Sequence, residues 1–459
     1  VAIDTAVKRK SISAIPLLFL GPVAVPSGSL DQADRQALAA SYAGILAAGG
    51  GPSTTPSVPG TGFSVPALLF AAGAAAYLLL LRDHSGATVA QFAGGGRGQS
   101  SGGLQAFSYR KRLRTPGAAT VRIYGDDDRV RDYLVLDDGL DFQWEFYRND
   151  PLDTARDFYK DFEAFHRGEN FSQEASGRFI YISYGQGYNV LLYADVIRYA
   201  SGSSQAQKNG DVAAVARAYV SENIGPLAGV DGLGNSRVMP GLTVATSAAL
   251  GKTWQGDRAN KLLADVLSEL AEYGPGDYMV LGAGPAAFEF TWRNTRWGAD
   301  RTRGNSAGNA PVILSPQYGN VEGIAADYKH LNEVNVVYAL GQGKGALQKV
   351  RTAADSSLLA LSPWARRAVA RSGRNSNDDN ELDDQAEAMV NEQRPIRQIS
   401  FSVRQTVGTR YGRDWDMGDL VTVEYLGRDY DMKVMGVTVS ASSDGAESIT
   451  PEFESEVGA

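Results

Sequence analysis

The chain has no cysteine and only three histidines, His84, His166 and His330, in 459 residues. The missing thiols exclude disulfides, zinc–thiolate sites and a cysteine nucleophile. The histidines are far apart and none stands in an HxxxH or HExxH setting, so imidazole-based metal and triad chemistry is poorly supplied. An excess of positive charge is also lacking. The 44 Lys and Arg face 52 Asp and Glu, which gives a net charge of −8 and a pI of 5.2. Surfaces that grip DNA are basic, so this balance argues against tight nucleic-acid binding, though not against a wall that DNA slides past. What is present is a globular composition, 43% hydrophobic and 21% charged, with 52 glycines. That suits a β-rich, loop-rich protein of roughly two to four domains, each with its own core.

Residues 1–62 differ from the rest. Lys8-Arg9-Lys10 precedes an apolar run from Ile12 to Val25, but Pro16, Gly21, Pro22 and Pro26 break it and no A-x-A site follows, so a signal peptide is not expected. Asp31 is placed to cap a short helix carrying Leu38, Tyr42 and Ile45 at helical spacing, and residues 49–62 read as a Gly/Ser/Thr/Pro linker. The segment is expected to be extended, with one short helix, and docked on a neighbour. Residues 63–81, FSVPALLFAAGAAAYLLLL, are long and apolar enough to raise a membrane span. Pro66, Gly73 and the alanine content weigh against it, and the run enters a hairpin whose turn is His84-Ser-Gly86, so a buried strand is the reading adopted.

Strands are expected at 104–113, 119–124, 131–135 and 139–148, a helical turn or two at 156–167, and strands again at 179–184 and 188–199. The period then changes. Residues 211–223 and 258–273 present helical apolar faces around a short strand at 242–246, which looks like an α/β insertion over 200–276. Strands resume at 278–281, 287–292, 323–328, 335–340, 346–351 and 399–406. A charged helix is expected at 383–391, stopped by Pro395. The chain closes on a hairpin of Leu420–Tyr425 and Lys433–Val439 around Leu426-Gly-Arg-Asp429.

No motif carries catalytic or cofactor chemistry. Leu250-Gly-Lys-Thr253 lacks the first glycine of a phosphate loop, because Thr246 stands there, and a helix after it starts too late to face a phosphate. Gly341-Gln-Gly-Lys-Gly345 reads as a hairpin turn with Lys344 solvated at its tip. The carboxylate runs Asp126–Asp128 and Asp378–Asp384 lack the offsets and the glycine of a calcium loop and read as a solvated turn and a helix start. Trp144, Trp292, Trp297, Trp364 and Trp415 lie in or beside strands, where core packing and interfaces use them more often than glycans do. Catalytic, cofactor-binding and metal sites are each expected to be absent.

Several phrases occur in an order and spacing that resemble siphophage tail hub proteins of the baseplate-hub superfamily. They are YLLLLRDHSG with LQAFSYRKRLRTPG, then WGADRT, LSPQYGNV, NVVYALGQGKG and YGRDWDMGD, over about residues 75–440. One departure is that a WGRRE-like phrase is present only as Pro363-Trp-Ala-Arg-Arg367. Some relatives carry a peptidase or lysozyme domain after this point, and none is read here. The segment before residue 62 resembles short pieces of phage virion proteins.

The resemblance implies an α+β, mainly β fold with two tube-like β-barrels, the first over 63–199 and the second over 277–459 with a peripheral helix, the insertion lying between. It implies a non-enzymatic structural virion protein that joins the tail tube to the tip and host-attachment proteins and forms part of the DNA ejection channel. The implied partners are two further copies in a homotrimer, distal tail and tail tube proteins, tip or fibre proteins, the tape measure protein, and DNA in transit without specific binding. An acidic or neutral lumen is expected, with Asp126–Asp128 and Glu424 as candidate lumen positions. The alternative is a carbohydrate-binding or hydrolytic tail-tip protein.

Overall fold

The computed structural model describes residues 76–94, 103–134, 139–150, 158–198, 206–329, 333–372, 377–394, 396–442 and 447–455. The readings for residues 1–75 and for His330 lie outside these.

The apolar run ends in β1 (Ala76–Arg82), which turns back as β2 (Thr88–Gly94). Tyr77, Leu79, Leu80 and Leu81 are all buried. Burial on both faces explains why no polar residue interrupts the run. Asp83 closes the turn by accepting the N–H groups of Ser85 at 2.9 Å and Ala87 at 3.0 Å. Among the described residues no helix is long and apolar enough to cross a membrane.

Next come β3 (Leu104–Arg112), β4 (Ala118–Tyr124), helix α1 (Asp128–Tyr133), β5 (Gln143–Asn149), β6 (Tyr159–Gln173) and β7 (Phe179–Gly187). Three expectations are corrected here. Residues 131–135 were expected as strand, but 128–133 form α1, because the Asp127 carboxylate accepts the Arg129 N–H at 3.0 Å and Val130 packs into the core. Residues 156–167 were expected to turn helically, yet β6 is a fifteen-residue strand with β5 on one side and β7 on the other. Pairing on both edges outweighs local propensity. Residues 188–199 were expected as strand, but Tyr188–Tyr193 form a 3₁₀ helix that buries Tyr188, Leu191 and Leu192.

The insertion contains β8 (Gln207–Asp211), α2 (Val212–Asn223), β9 (Leu242–Val244), β10 (Thr253–Asp257) and α3 (Leu263–Tyr273), followed by β11 (Gly276–Gly284) and β12 (Ala287–Asn294). Asp211 caps α2 through the Ala213 N–H at 3.0 Å. Helix α3 starts later than its apolar period suggested, because Asn260 adopts φ +64°, a left-handed conformation through which no helix continues. Val215, Tyr219, Val266 and Leu270 from the two helices share a core with Trp254, Tyr278, Phe290 and Trp292. Strands β11 and β12, expected in the second barrel, therefore pack with the insertion.

The last part contains β13 (Asp300–Arg301), β14 (Ile313–Leu314), β15 (Val321–Lys329), β16 (Val336–Leu340), β17 (Val350–Ala354), α4 (Ser356–Leu359), β18 (Ala368–Ser372), α5 (Asp379–Glu392), β19 (Ile396–Val403), β20 (Leu420–Tyr425), β21 (Arg428–Ser442) and β22 (Glu447–Ser455). The strand expected at 346–351 begins later, after a short 3₁₀ turn at Gly345–Leu347. Leu426 and Gly427 both have positive φ, 51° and 70°, which matches a two-residue hairpin turn between β20 and β21.

The fold is mainly β, as expected, in several sheets. The largest has twelve strands along the path β13-β20-β21-β3-β4-β7-β6-β5-β1-β2, with β14 beside β20 and β22 beside β21. The expectation of two separate closed barrels needs correction, because none of these sheets closes on itself and strands from both ends of the chain share this one. The reason lies in β21. One of its edges pairs with β22, and the other is divided between β20, up to Lys433, and β3, from Gly436 onward. One core follows from this: Tyr77, Phe107 and Phe146 pack in the same cluster as Val421, Val434, Val437 and Phe453.

Candidate functional site

The phrases FSYRKRL and YGRDWD lie about 300 residues apart in sequence and meet near the place where β21 joins β3. Side chains two apart on a strand share a face, so Tyr109 and Lys111 of β3 point together at Asp161 of β6. The Asp161 carboxylate accepts from Tyr109 Oη at 2.5 Å, Lys111 Nζ at 3.1 Å and Tyr411 Oη at 2.8 Å. Lys111 also reaches Asp416 at 3.2 Å. The phrase FSYRKRL thus meets YGRDWD through one aspartate. Burial would push the Asp161 carboxyl up, but the Lys111 ammonium and the two phenol donors outweigh it and hold the group below the usual carboxylate range. Burial opposes the charge on Lys111, and the Asp416 and Asp161 carboxylates more than compensate, so its pKa is raised.

A second carboxylate, fully buried Asp277 of β11, accepts from Lys433 Nζ at 2.8 Å, Arg114 Nε at 3.1 Å and the Trp297 N–H at 2.7 Å. One side chain thereby ties the insertion to both ends of the chain. A third link is Arg148 of β5, which donates to Glu447 of β22 at 2.9 Å while Tyr77 donates to the same carboxylate.

The WGADRT phrase docks on the GD of YGRDWDMGD. Asp419 accepts from the Ala299 N–H at 2.6 Å, the Asp416 N–H at 3.0 Å and Arg301 Nε at 3.0 Å. Burial raises its pKa in spite of these donors. Both glycines are required by the close approach. A Cβ on Gly298 would lie 2.3 Å from Asp419 Oδ1, and Gly418, at φ +92°, would place one 2.6 Å from Trp297 Cβ. From LSPQYGNV, Asn320 accepts the Ser315 N–H at 2.9 Å and donates to Ile313 O at 2.8 Å, which seats β14 against β20.

A cavity of about 320 Å³ lies beside this junction, lined by Lys111, Asp161, Glu163, Gly282, Trp297 and Met417 among others. Glu163 accepts the Gly282 N–H at 3.0 Å and pairs with Lys160. Burial raises its pKa, and Lys160 only partly offsets this. Asp161, Asp277, Asp416, Asp419, Glu163 and Glu447 each accept from two or more donors. That fixes their geometry. Among the described residues no group of three or more His, Asp or Glu could hold a metal ion.

Of the residues singled out from sequence, Trp297 lines this cavity and most of the others lie elsewhere. Asp127 caps α1 and pairs with Arg129 at 2.6 Å, Asp128 pairs with Arg131 at 2.8 Å, and Glu424 pairs with Arg303 at 2.7 Å, so arginines neutralise these acidic positions. Asp378 caps α5, while Asp379 and Asp383 pair with Lys349 and Arg351. Thr253 begins a strand rather than a helix, and Lys252 Nζ is held by Tyr273 O at 2.7 Å and Glu387 at 2.8 Å. Trp144, Trp292 and Trp415 are core residues, Trp297 is partly buried against the core, and Trp364 is exposed. Sequence reasoning missed Asp161, Asp277, Arg148 and Lys433. The available signal was a charge on the inward alternation of a strand, as Arg148 is, in step with Trp144 and Phe146.

The chain is an interlocked, mainly β scaffold whose buried charges cross-link distant parts of it. The model of the siphovirus ReqiPepy6 Gp37-like protein family matches residues 199–453, more than half of the sequence, and the chain belongs to that family. Among curated proteins none matches the chain. Similar solved structures include a tail protein from Neisseria meningitidis MC58, at 14% identity and a TM-score of 0.47 over 83% of this chain and 97% of that one. A 43 kDa tail protein of prophage MuSo2 from Shewanella oneidensis aligns at 12% identity and 0.49, over 82% and 98%. Prophage tail protein gp18 from Listeria monocytogenes EGD-e aligns at 11% and 0.46, over 82% and 94%. The family assignment rests on the sequence match.

Proposed function

We propose that the chain is a tail hub subunit: a homotrimer that joins the tail tube to the tip and host-attachment proteins and lines part of the DNA ejection channel, without catalytic activity. The observation that carries this is the buried junction of Asp161, Asp277 and Glu447. It locks strands from both ends of the chain into one sheet, a rigid body suited to passing load between neighbours. In this reading residues 1–62 attach to a neighbouring protein. Residues 63–199 and 277–459 form the two interlocked halves of the scaffold, and residues 200–276 are a peripheral insertion. The net charge of −8 supports a channel that does not retain DNA, because each neutralised phosphate would add affinity.

Mass photometry of the purified chain, with cryo-electron microscopy of virions carrying a tagged copy, tests the proposal. A species of three times the 48.9 kDa chain mass and a ring at the tip end of the tube are expected. A monomer, or a tag distributed along the tube, would overturn it. Hydrolysis of host glycan by the purified chain, abolished by one carboxylate substitution, would overturn the non-enzymatic part.

A further inference from the structure

Residues 333–394 leave the scaffold and return to it at one place. Strands β15 and β19 pair as an antiparallel ribbon whose last register pair is Lys329 with Ile396, so the chain runs out and back side by side. Just beyond, the Val334 N–H donates to Gln393 O at 3.2 Å and closes the neck. What hangs from this neck has a core of its own. Val337 and Ala339 of β16 pack on Leu382, Ala386 and Val390, which recur every fourth residue on one face of α5. Among the described residues no side chain from outside 333–394 enters that cluster, and of this unit only Ala388 joins the core of the insertion.

The rest of the contact with the insertion is polar. Asp378, Glu381, Asp384 and Glu387 stand every third residue along α5 and meet β10 and its flanks. Asp378 accepts from Gln255 Nε2 at 2.5 Å, and Asp384 accepts the Gln255 N–H at 3.2 Å. Glu381 lies 3.7 Å from Arg258, and Glu387 accepts from Lys252 Nζ at 2.8 Å. Asn391 donates to Glu272 O at 3.3 Å. The Lys252 and Glu387 side chains are 34% and 49% exposed, so water and salt reach their pair. The seam is also incompletely filled. A cavity of about 350 Å³ opens in it, between Asp265 and Glu269 of α3 on one side and Arg371 and Glu392 on the other. A polar, imperfectly filled contact between units with separate cores permits relative motion. Two chain crossings at one register pair supply the axis, because a single rotation serves both.

We infer that residues 333–394 are a hinged arm, which pivots at the Lys329–Ile396 end of the ribbon and is clasped to the insertion by the acidic stripe of α5. The buried junction of Asp161, Asp277 and Glu447 and its partners lie wholly outside the arm, so the scaffold keeps its single sheet while the arm swings. The neck and the seam carry this inference, which does not require the hub reading.

The chain has no cysteine, so introduced pairs take nitroxide labels at chosen positions only. Ala214→Cys/Ser356→Cys places one label on α2 and one on the arm, and Ala214→Cys/Ser448→Cys spans insertion and scaffold as the control; all three positions are exposed. Double electron–electron resonance on the full chain at low salt should give one dominant arm distance. A second, longer distance should rise by about fivefold, the scale of one exposed ion pair, in the Glu381→Gln/Asp384→Asn/Glu387→Gln variant. It should rise likewise in about 1 M salt, where the screening length is about 3 Å, while the control distance stays fixed. Thermal melting confirms that the variant folds, and Glu387→Lys replaces it if it does not. The inference is overturned by an arm distance unchanged in the variant, by one that changes in the variant but not in high salt, or by a control distance that shifts along with the arm.

Discussion

Replacing Lys111 by Met removes the one ammonium that faces both Asp161 and Asp416. Asp161 then keeps its two phenol donors but loses its counter-charge, at a site where its side chain is 1% exposed. At an effective dielectric of about 20, unit charges 3.1 Å apart attract by about 5 kcal/mol. Removing one partner of a buried pair costs about 3–5 kcal/mol, because the other charge is left uncompensated. Lys111→Met should therefore lower the free energy of unfolding by about 3–5 kcal/mol at pH 7, read from guanidinium melts at constant slope. Arg122→Met, which breaks an exposed pair with Glu174, should cost no more than about 1 kcal/mol. The sign with pH is fixed. In the wild type the Asp161 pKa is depressed, so its contribution is fully present above the unfolded carboxylate value and is lost as pH falls through the folded value. In the variant, burial acts unopposed by the ammonium, and Asp161 can escape its cost by binding a proton. The gap between the two proteins should thus narrow on acidification from pH 7 toward pH 4. A gap as small as that of Arg122→Met, or one that widens in acid, would refute the reasoning.

Three further outcomes follow from the same geometry. Gly418→Ala should destabilise by about 2 kcal/mol or more, since a left-handed backbone costs about 1 kcal/mol for a residue with a side chain and the new Cβ meets Trp297 and Gly298; Gly427→Ala, at φ +70° with open space around it, should show only the backbone cost, and paired thermal melts will separate the two. Burial raises Glu163, so wild-type stability should fall as pH rises from the unfolded glutamate value through the raised folded value; Glu163→Gln should remove that slope in pH-resolved denaturant titrations. Asp127→Ala deletes the side-chain cap that starts α1 and should cost about 1 kcal/mol, with faster amide exchange confined to residues 128–133.

The sequence by itself determined the class of fold and most of its elements. The hairpin around Gly427, the strands at 104–113 and 420–425, the two insertion helices and the end of the apolar run in a strand were legible because each rests on local spacing and turn chemistry. It also carried the ordered phrases that indicate a phage tail protein. Residues 128–133, 159–173 and 188–193 were not legible, because a cap, two flanking strands and a packed aromatic decided them. Only the tertiary structure decided that β21 serves both ends of the chain, so that one open sheet stands where two barrels were expected. It alone brought Tyr109, Lys111, Asp161 and Tyr411 together, and Arg114, Asp277 and Lys433. A strand's pattern states which face is buried but not which strand lies beside it, and the partner of a buried charge, 50 residues away for Lys111 and Asp161 and 299 for Arg148 and Glu447, is set only by the tertiary fold.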